Sequence, residues 1–391
     1  MRNKAKVLVP SSSFRPMFAA VFVTGLAFAS WLAFPIVWET DSNADRIPRA
    51  AVQSEALIVD EARCAECHAD ITAGYHTAPH ARTLRQGTDP DVIARFLSRH
   101  FLREETGVEY SYIESNGMLM VRSSAYAQPL PIEWVVGSGT HASTPLVTIP
   151  NTNEGTSMIE HVVSWYPSGE LGITLGMEEL LEKHGILALG HPRPPEETIN
   201  CFGCHSTFVP VHDERIDFDH LQAGVGCARC HWDLKQHLFD MDHTGETTIE
   251  RFSELSPSEA IDRCGECHRR ASELGGEIRP EDETLIRFAP VGLSKSPCFL
   301  NQDSALDEQG NPIRFDCASC HDPHGPTNPD WRFHTAVCNR CHDAESEHVS
   351  GCSVENRESN CLPCHMPSVP ANDFLNFTDH WIRIRENPRR E

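Results

Sequence analysis

Cys317-Ala318-Ser319-Cys320-His321-Asp322-Pro323-His324 is the stretch that decides how this chain is read. It is a Cys-x-x-Cys-His pattern followed three residues later by a second histidine. Working outward from it, the same pattern recurs at 64–68, 201–205, 227–231, 264–268, 338–342 and 361–365, so seven copies use fourteen of the sixteen cysteines. In a helical turn, residues i, i+3 and i+4 share one face. Both thiols and the histidine of each copy therefore meet one surface. Two thiols so placed add across the vinyl groups of a haem, and the adjacent histidine reaches the iron. This is the haem c attachment signature. The thioether residues are Cys64 and Cys67, Cys201 and Cys204, Cys227 and Cys230, Cys264 and Cys267, Cys317 and Cys320, Cys338 and Cys341, and Cys361 and Cys364. The proximal iron ligands are His68, His205, His231, His268, His321, His342 and His365. The cofactor expectation is seven covalently bound haem c groups.

Two plainer readings of a Cys-x-x-Cys pair compete and fail. Zinc requires two further ligands at every copy. A thioredoxin-like motif occurs singly beside a βαβ pattern. Neither accounts for a histidine after every second cysteine.

The formal net charge of −23 over 391 residues argues against a nucleic-acid binder. It suits a redox partner with a basic docking face, and equally a plain acidic surface. Such a docking would weaken with salt.

The N-terminus carries Arg2, Lys4, Lys6 and Arg15 before an uncharged run from Met17 to Trp38. That run is long enough to cross a bilayer as a helix, with the basic end inside. Residues 1–40 are therefore expected to be a signal anchor, with the membrane as a partner. The remainder would lie on the periplasmic side of the cytoplasmic membrane. Ala27-Phe28-Ala29 resembles a signal-peptidase site, so the alternative is a secreted or periplasmic protein after cleavage. Residues 41–54 read as a linker, and 55–391 as the heptahaem domain. Residues 91–102 have helical spacing, with Val92, Ile93, Phe96, Leu97 and Phe101 on one side. Segments 109–115 and 118–123 flank Asn116-Gly117, the preferred type I′ hairpin turn. Further strands are expected at 132–136, 145–149, 158–166 and 170–174. Together these predict a small antiparallel β insert at about 105–175, between haems one and two. A short helix is expected over 176–187. Ser256-Pro257-Ser258-Glu259 is a capping box opening a helix that carries the fourth motif. Residues 280–315 read as a long loop.

Several stretches resemble the multihaem c-type cytochromes with doubled Cys-x-x-Cys-His motifs. These are exported proteins with haem packing like that of the hydroxylamine-oxidoreductase-like cytochromes. The resemblance is carried by 64–68 with Pro79-His80-Ala81, by 226–231, by 317–324, by 361–367, and by Phe377-Thr378-Asp379-His380-Trp381-Ile382-Arg383. The chain departs from that family after the third motif, where Trp232-Asp233 replaces the usual Gly-Pro. The resemblance implies a mainly α fold with long loops wrapped round a multihaem cytochrome c array. The family also often carries cysteines at both of the remaining positions. Export favours bridging, so Cys298 is expected to pair with Cys352; the alternative is two free thiols.

Fifteen histidines lie outside the motifs, and the chain has only eight methionines. Bis-histidine ligation is therefore expected, with lower potentials than histidine–methionine ligation. The distal candidates are His80, His237, His324, His348 and His380, with His76, His100, His220, His243 and His334 in reserve. His324 is too close along the chain to cap the iron held by His321, so it is expected to serve a neighbouring haem. The leading expectation is a membrane-anchored, exported electron relay between periplasmic or membrane redox proteins, with no catalytic residues. The alternative is an oxidoreductase acting on a small nitrogen or sulfur compound at one five-coordinate haem. A third reading makes the β insert a docking module.

Overall fold

Alternation of buried and exposed side chains dominates the first half of the described chain. The computed structural model describes residues 59–149, 155–246, 249–307, 309–342 and 359–385. Eleven strands run from Leu84 to Arg193: β1 Leu84–Gln86, β2 His100–Arg103, β3 Val108–Ser115, β4 Met118–Ser123, β5 Tyr126–Pro131, β6 Trp134–Val136, β7 Thr144–Thr148, β8 Met158–His161, β9 Val163–Trp165, β10 Leu171–Ile173 and β11 Gly190–Arg193. They form a four-stranded meander, β2-β3-β4-β5, a five-stranded antiparallel sheet in the order β1-β6-β7-β8-β11, and a β9–β10 ribbon.

Strand β3 shows why. Val108, Tyr110 and Tyr112 are buried, and the residues between them are less so. A period of two puts the apolar set on one face. Asn116 and Gly117 both have positive φ, 52° and 78°. They close β3 onto β4 with Ser115 opposite Met118, as a type I′ turn requires. The main core joins Val92 and Phe96 to Tyr110, Tyr112, Leu119, Ile132, Val147 and Ile159.

A second core ties the sheet to the motif region. Trp134 of β6 and Leu146 of β7 pack with Phe202, which lies inside the second Cys-x-x-Cys-His copy. The ring centroids of Trp134 and Phe202 are 5.7 Å apart, edge to face, and Phe218 lies 5.6 Å from each.

From Pro195 onward the elements are short and the apolar clusters small. One joins Val59, Phe208, Ala228 and Leu234; another joins Ile261, Leu293 and Phe299. The longest helices are Pro195–His205, Leu234–His243 and Pro257–His268. The first and third end in a motif histidine. The capping box at Ser256 and Glu259 is formed in both directions.

These findings correct the expected fold class. The molecule is not mainly α with a small β insert. It is β-rich over a span wider than 105–175, because residues on both sides of that span also pair into the two sheets. Helix in the remainder is limited because motifs such as Cys227–Cys230 and Leu362–His365 are single turns. The helix expected over 91–102 runs only over Pro90–Phe96. Ser98 then takes a positive φ of 62°, and His100–Arg103 pairs with β3. Pairing on a sheet edge overrides the helical spacing. Residues 176–187 form turns that lead into a 3-10 turn at Ile186–Leu189. The expected loop over 280–315 contains two short helices, Ala289–Ser294 and Pro297–Leu300.

The expected membrane partnership is also corrected. No helix among the described residues is long and apolar enough to cross a membrane. The apolar run from Met17 to Trp38 lies outside those residues, so anchoring has no structural support.

Candidate haem-binding sites

The motif histidines meet other histidines across motif boundaries. His68, at the end of the helix Cys64–Cys67, stands 6.4 Å from His237, centroid to centroid, with the rings inclined 30°. His237 projects from Leu234–His243. That helix is held to the first motif by Arg63, which donates to both Asp242 carboxylate oxygens at 3.1 and 2.8 Å. His231 of the third motif stands 6.1 Å from His324, with the rings 8° from parallel. His268 of the fourth stands 6.1 Å from His80, nearly perpendicular at 80°. His321 of the fifth stands 6.1 Å from His380 at 32°.

A metal about 2 Å from each of two facing imidazole nitrogens places ring centroids roughly 6 Å apart. The four separations fit one iron between each pair. The donor chemistry fits too. Burial pushes His268 and His321 down to about 4, so both rings are neutral and able to ligate at neutral pH. Among the described residues, no group of three or more histidine, cysteine, aspartate or glutamate side chains converges on one point. Closed zinc sites are thus not formed there. Facing pairs suit a metal whose other ligands come from a porphyrin.

Ligating imidazoles commonly donate their second N–H to a carbonyl or carboxylate, and three of these have such a partner. His380 Nδ1 bonds the Thr378 carbonyl at 2.9 Å. The His80 ring bonds the Pro323 carbonyl. His324 Nδ1 lies 3.2 Å from Asp322 Oδ1. His334 also comes within 6.4 Å of His321, but its Nε2 bonds the Asn328 carbonyl at 2.9 Å. His380 is the better placed of the two.

Positioning residues that no motif signals complete the sites. Ser296, fully buried, donates to the His380 carbonyl at 3.1 Å and accepts from Ile382 N at 2.8 Å. Thr83 donates to the carbonyls of His80 and His205 at 3.1 and 2.9 Å. Gly224 has φ +84°, and a Cβ there would meet the Ala81 carbonyl oxygen at 2.5 Å. Only glycine lets this loop close on His80 and His205, whose carbonyls accept from Val225 and Gly224. Nothing in a single sequence marks such residues.

Not every candidate is brought to a motif histidine. His205 Nδ1 bonds the Thr83 carbonyl at 3.0 Å, and His365 Nδ1 bonds the Arg383 carbonyl at 3.2 Å. His76 lies against Tyr75, and His220 binds Asp217 at 2.7 Å. His243 stacks on Phe239. His100 sits on β2, in the four-stranded meander. His348 and Cys352 lie outside the described residues, so the Cys352 bridge to Cys298 stays an expectation. His161, not a candidate, is fully buried between Tyr112 and Leu189.

No protein-family model and no curated protein matches the chain. Among solved structures, the fold is similar to that of the outer cell wall cytochrome OcwA. The TM-score is 0.51 at 13% identity, over 84% of this chain and 80% of that one. At that identity the likeness is one of fold.

Proposed function

We propose that this chain is an exported heptahaem c-type cytochrome that relays electrons between redox partners. The observation that carries the reading is the set of four imidazole pairs, each with ring centroids 6.1–6.4 Å apart, a separation that fits one iron, and each built around a different motif histidine. The motif cysteines would hold seven haems. His68 with His237, His231 with His324, His268 with His80, and His321 with His380 would supply both axial ligands of four of them. When bound, haem c supplies reversible one-electron chemistry at iron. The protein's part is to orient the imidazoles and hold the sites close together. The fold shared with a cytochrome supports the reading. So does the chemistry of attachment, since haem c is attached outside the cytoplasm. The partner would be another redox protein, presenting a basic face to a chain of net charge −23.

Mass spectrometry of the mature protein, with a pyridine haemochrome assay, tests this. Seven covalent haems are expected. A protein that matures without covalent haem would overturn the proposal.

A further inference from the structure

His321 of the fifth motif has two imidazoles beside it, His380 at 6.1 Å and His334 at 6.4 Å. The two are carried differently. His334 projects from the helix Trp331–Cys338, which ends in the first cysteine of the sixth motif. His380 follows a hairpin of two strands, Ser368–Pro370 and Asn376–Thr378, with Ser368 opposite Thr378 and Pro370 opposite Asn376. Asp379 N extends the pairing by donating to the Pro367 carbonyl at 3.0 Å. Strands joined by such a ladder move together, so the place of the hairpin's tip governs the place of its base.

That tip is plugged into the β half of the molecule. The Phe374 ring stacks on Tyr166 at 4.7 Å, with the planes 12° apart. Tyr166 is fully buried, and its hydroxyl donates to the Ile173 carbonyl at 2.5 Å. Asn372 Nδ2 reaches the Tyr166 hydroxyl oxygen at 3.4 Å. Gly172 of β10 forms the socket. A Cβ there would sit 2.7 Å from Cδ2 and Cζ of the Phe374 ring. Gly172 pairs with Ser164 and has no positive φ, so its backbone makes no demand for glycine. The missing side chain is what admits the ring. Further along the hairpin, Phe377 meets His141 at 5.5 Å. The other side of His380 is braced by the helix Ala289–Ser294, where a Cβ at Gly292 would sit 2.8 Å from Trp381 N. His380 is thus held from two directions, and Phe374 is the contact that ties it to the β9–β10 ribbon.

We infer that Phe374, seated against Gly172 and Tyr166, is a positioning residue that selects His380 over His334 as the second imidazole opposite His321. This rests on the haem reading above and deepens it, by naming what fixes one ligand within the roughly 0.5 Å that such a site tolerates. Electron paramagnetic resonance of the oxidised full-length holoprotein reads it. His380→Ala identifies the low-spin component of the fifth motif as the one it loses. Phe374→Ala and Gly172→Ala should each lose at least half of that component, with seven haems kept by mass. The double variant Gly172→Ala/Phe374→Leu should recover at least half of what Gly172→Ala loses, because leucine withdraws the ring edge that the new Cβ strikes. Losses from a general packing defect would add instead. The component left intact in Phe374→Ala, or a deeper loss in the double variant than in Gly172→Ala, would overturn the inference and leave the relay standing. A crystal structure of the unaltered holoprotein tests it without any variant having to fold. It should show His380 on the iron of the fifth motif and Phe374 in its socket; His334 on that iron, or Phe374 outside the socket, overturns the inference. A protein that matures without covalent haem overturns the reading beneath it.

Discussion

His161 shows how one buried imidazole becomes a determinant of stability without serving a metal. Its Nδ1–H donates to the Leu189 carbonyl at 2.5 Å, and Nε2 accepts from the Tyr112 hydroxyl at 2.8 Å. Burial pushes it down to about 4 from an ordinary 6.5. The folded form thus holds the neutral ring, while the unfolded chain takes up a proton below about 6.5. The stabilisation is full above that value and is lost as pH falls toward 4, up to roughly 3 kcal/mol for this group. Thermal unfolding followed by circular dichroism should show the midpoint falling over that window. In His161→Phe protein the dependence should flatten, while the midpoint at neutral pH drops. The cause is that Tyr112 and Leu189 are left unpaired, at about 1–3 kcal/mol. Ser296 tests the support of a proposed ligand, His380, in the same way. In Ser296→Ala the His380 carbonyl loses its donor. One haem should then gain high-spin character in the resonance spectrum, with the haem count unchanged.

Among the elements, the helix Pro257–His268 is the most legible in the sequence. Its capping box and N1 proline are local chemistry, and they form as the spacing requires. Ser256→Ala should cost about 1 kcal/mol, read as a lower unfolding midpoint. The β3–β4 hairpin is equally legible, because Asn-Gly answers a φ requirement within the turn itself. The segment 91–102 is not. Its apolar spacing suits a helix, but Phe101 and Leu102 pair with Tyr110 and Glu109 of β3. A non-local pairing decides it. Gly224 belongs to this scale too. A valine there would need a positive φ and would strike Ala81. Gly224→Val protein should mature with disturbed spectra at the haems of motifs two and four, the sites it closes upon.

On the scale of the molecule, the β half and the motif half share Trp134, Phe202 and Phe218. The sheet is therefore more than a docking appendage. Trp134→Ala should destabilise by about 3–5 kcal/mol and perturb the haem of motif two. Unchanged haem spectra and stability would instead support a separable docking module. The stretch from Cys317 to His324 gathers three sites. His321 faces His380, the Pro323 carbonyl holds His80, and His324 faces His231. Removing the His324 side chain, as in His324→Ala, should open an axial position at the third motif and add carbon monoxide binding that the parent protein lacks there. Association with a basic redox partner should weaken steadily with ionic strength, as screening acts on long-range charge.

The sequence alone determined the proposed tethers, because Cys-x-x-Cys-His is a local requirement: two thiols and an imidazole on one turn. It also determined the capping box and the Asn-Gly turn, for the same reason. It pointed to His80, His237, His324 and His380 as candidates, but spacing could not say which motif each would face. Those pairings join residues far apart in the chain, from 59 positions for His321 with His380 to 188 for His80 with His268. Only the tertiary structure decided them, along with the two sheets. Non-local contacts depend on how whole elements pack, and no short stretch of chain encodes that.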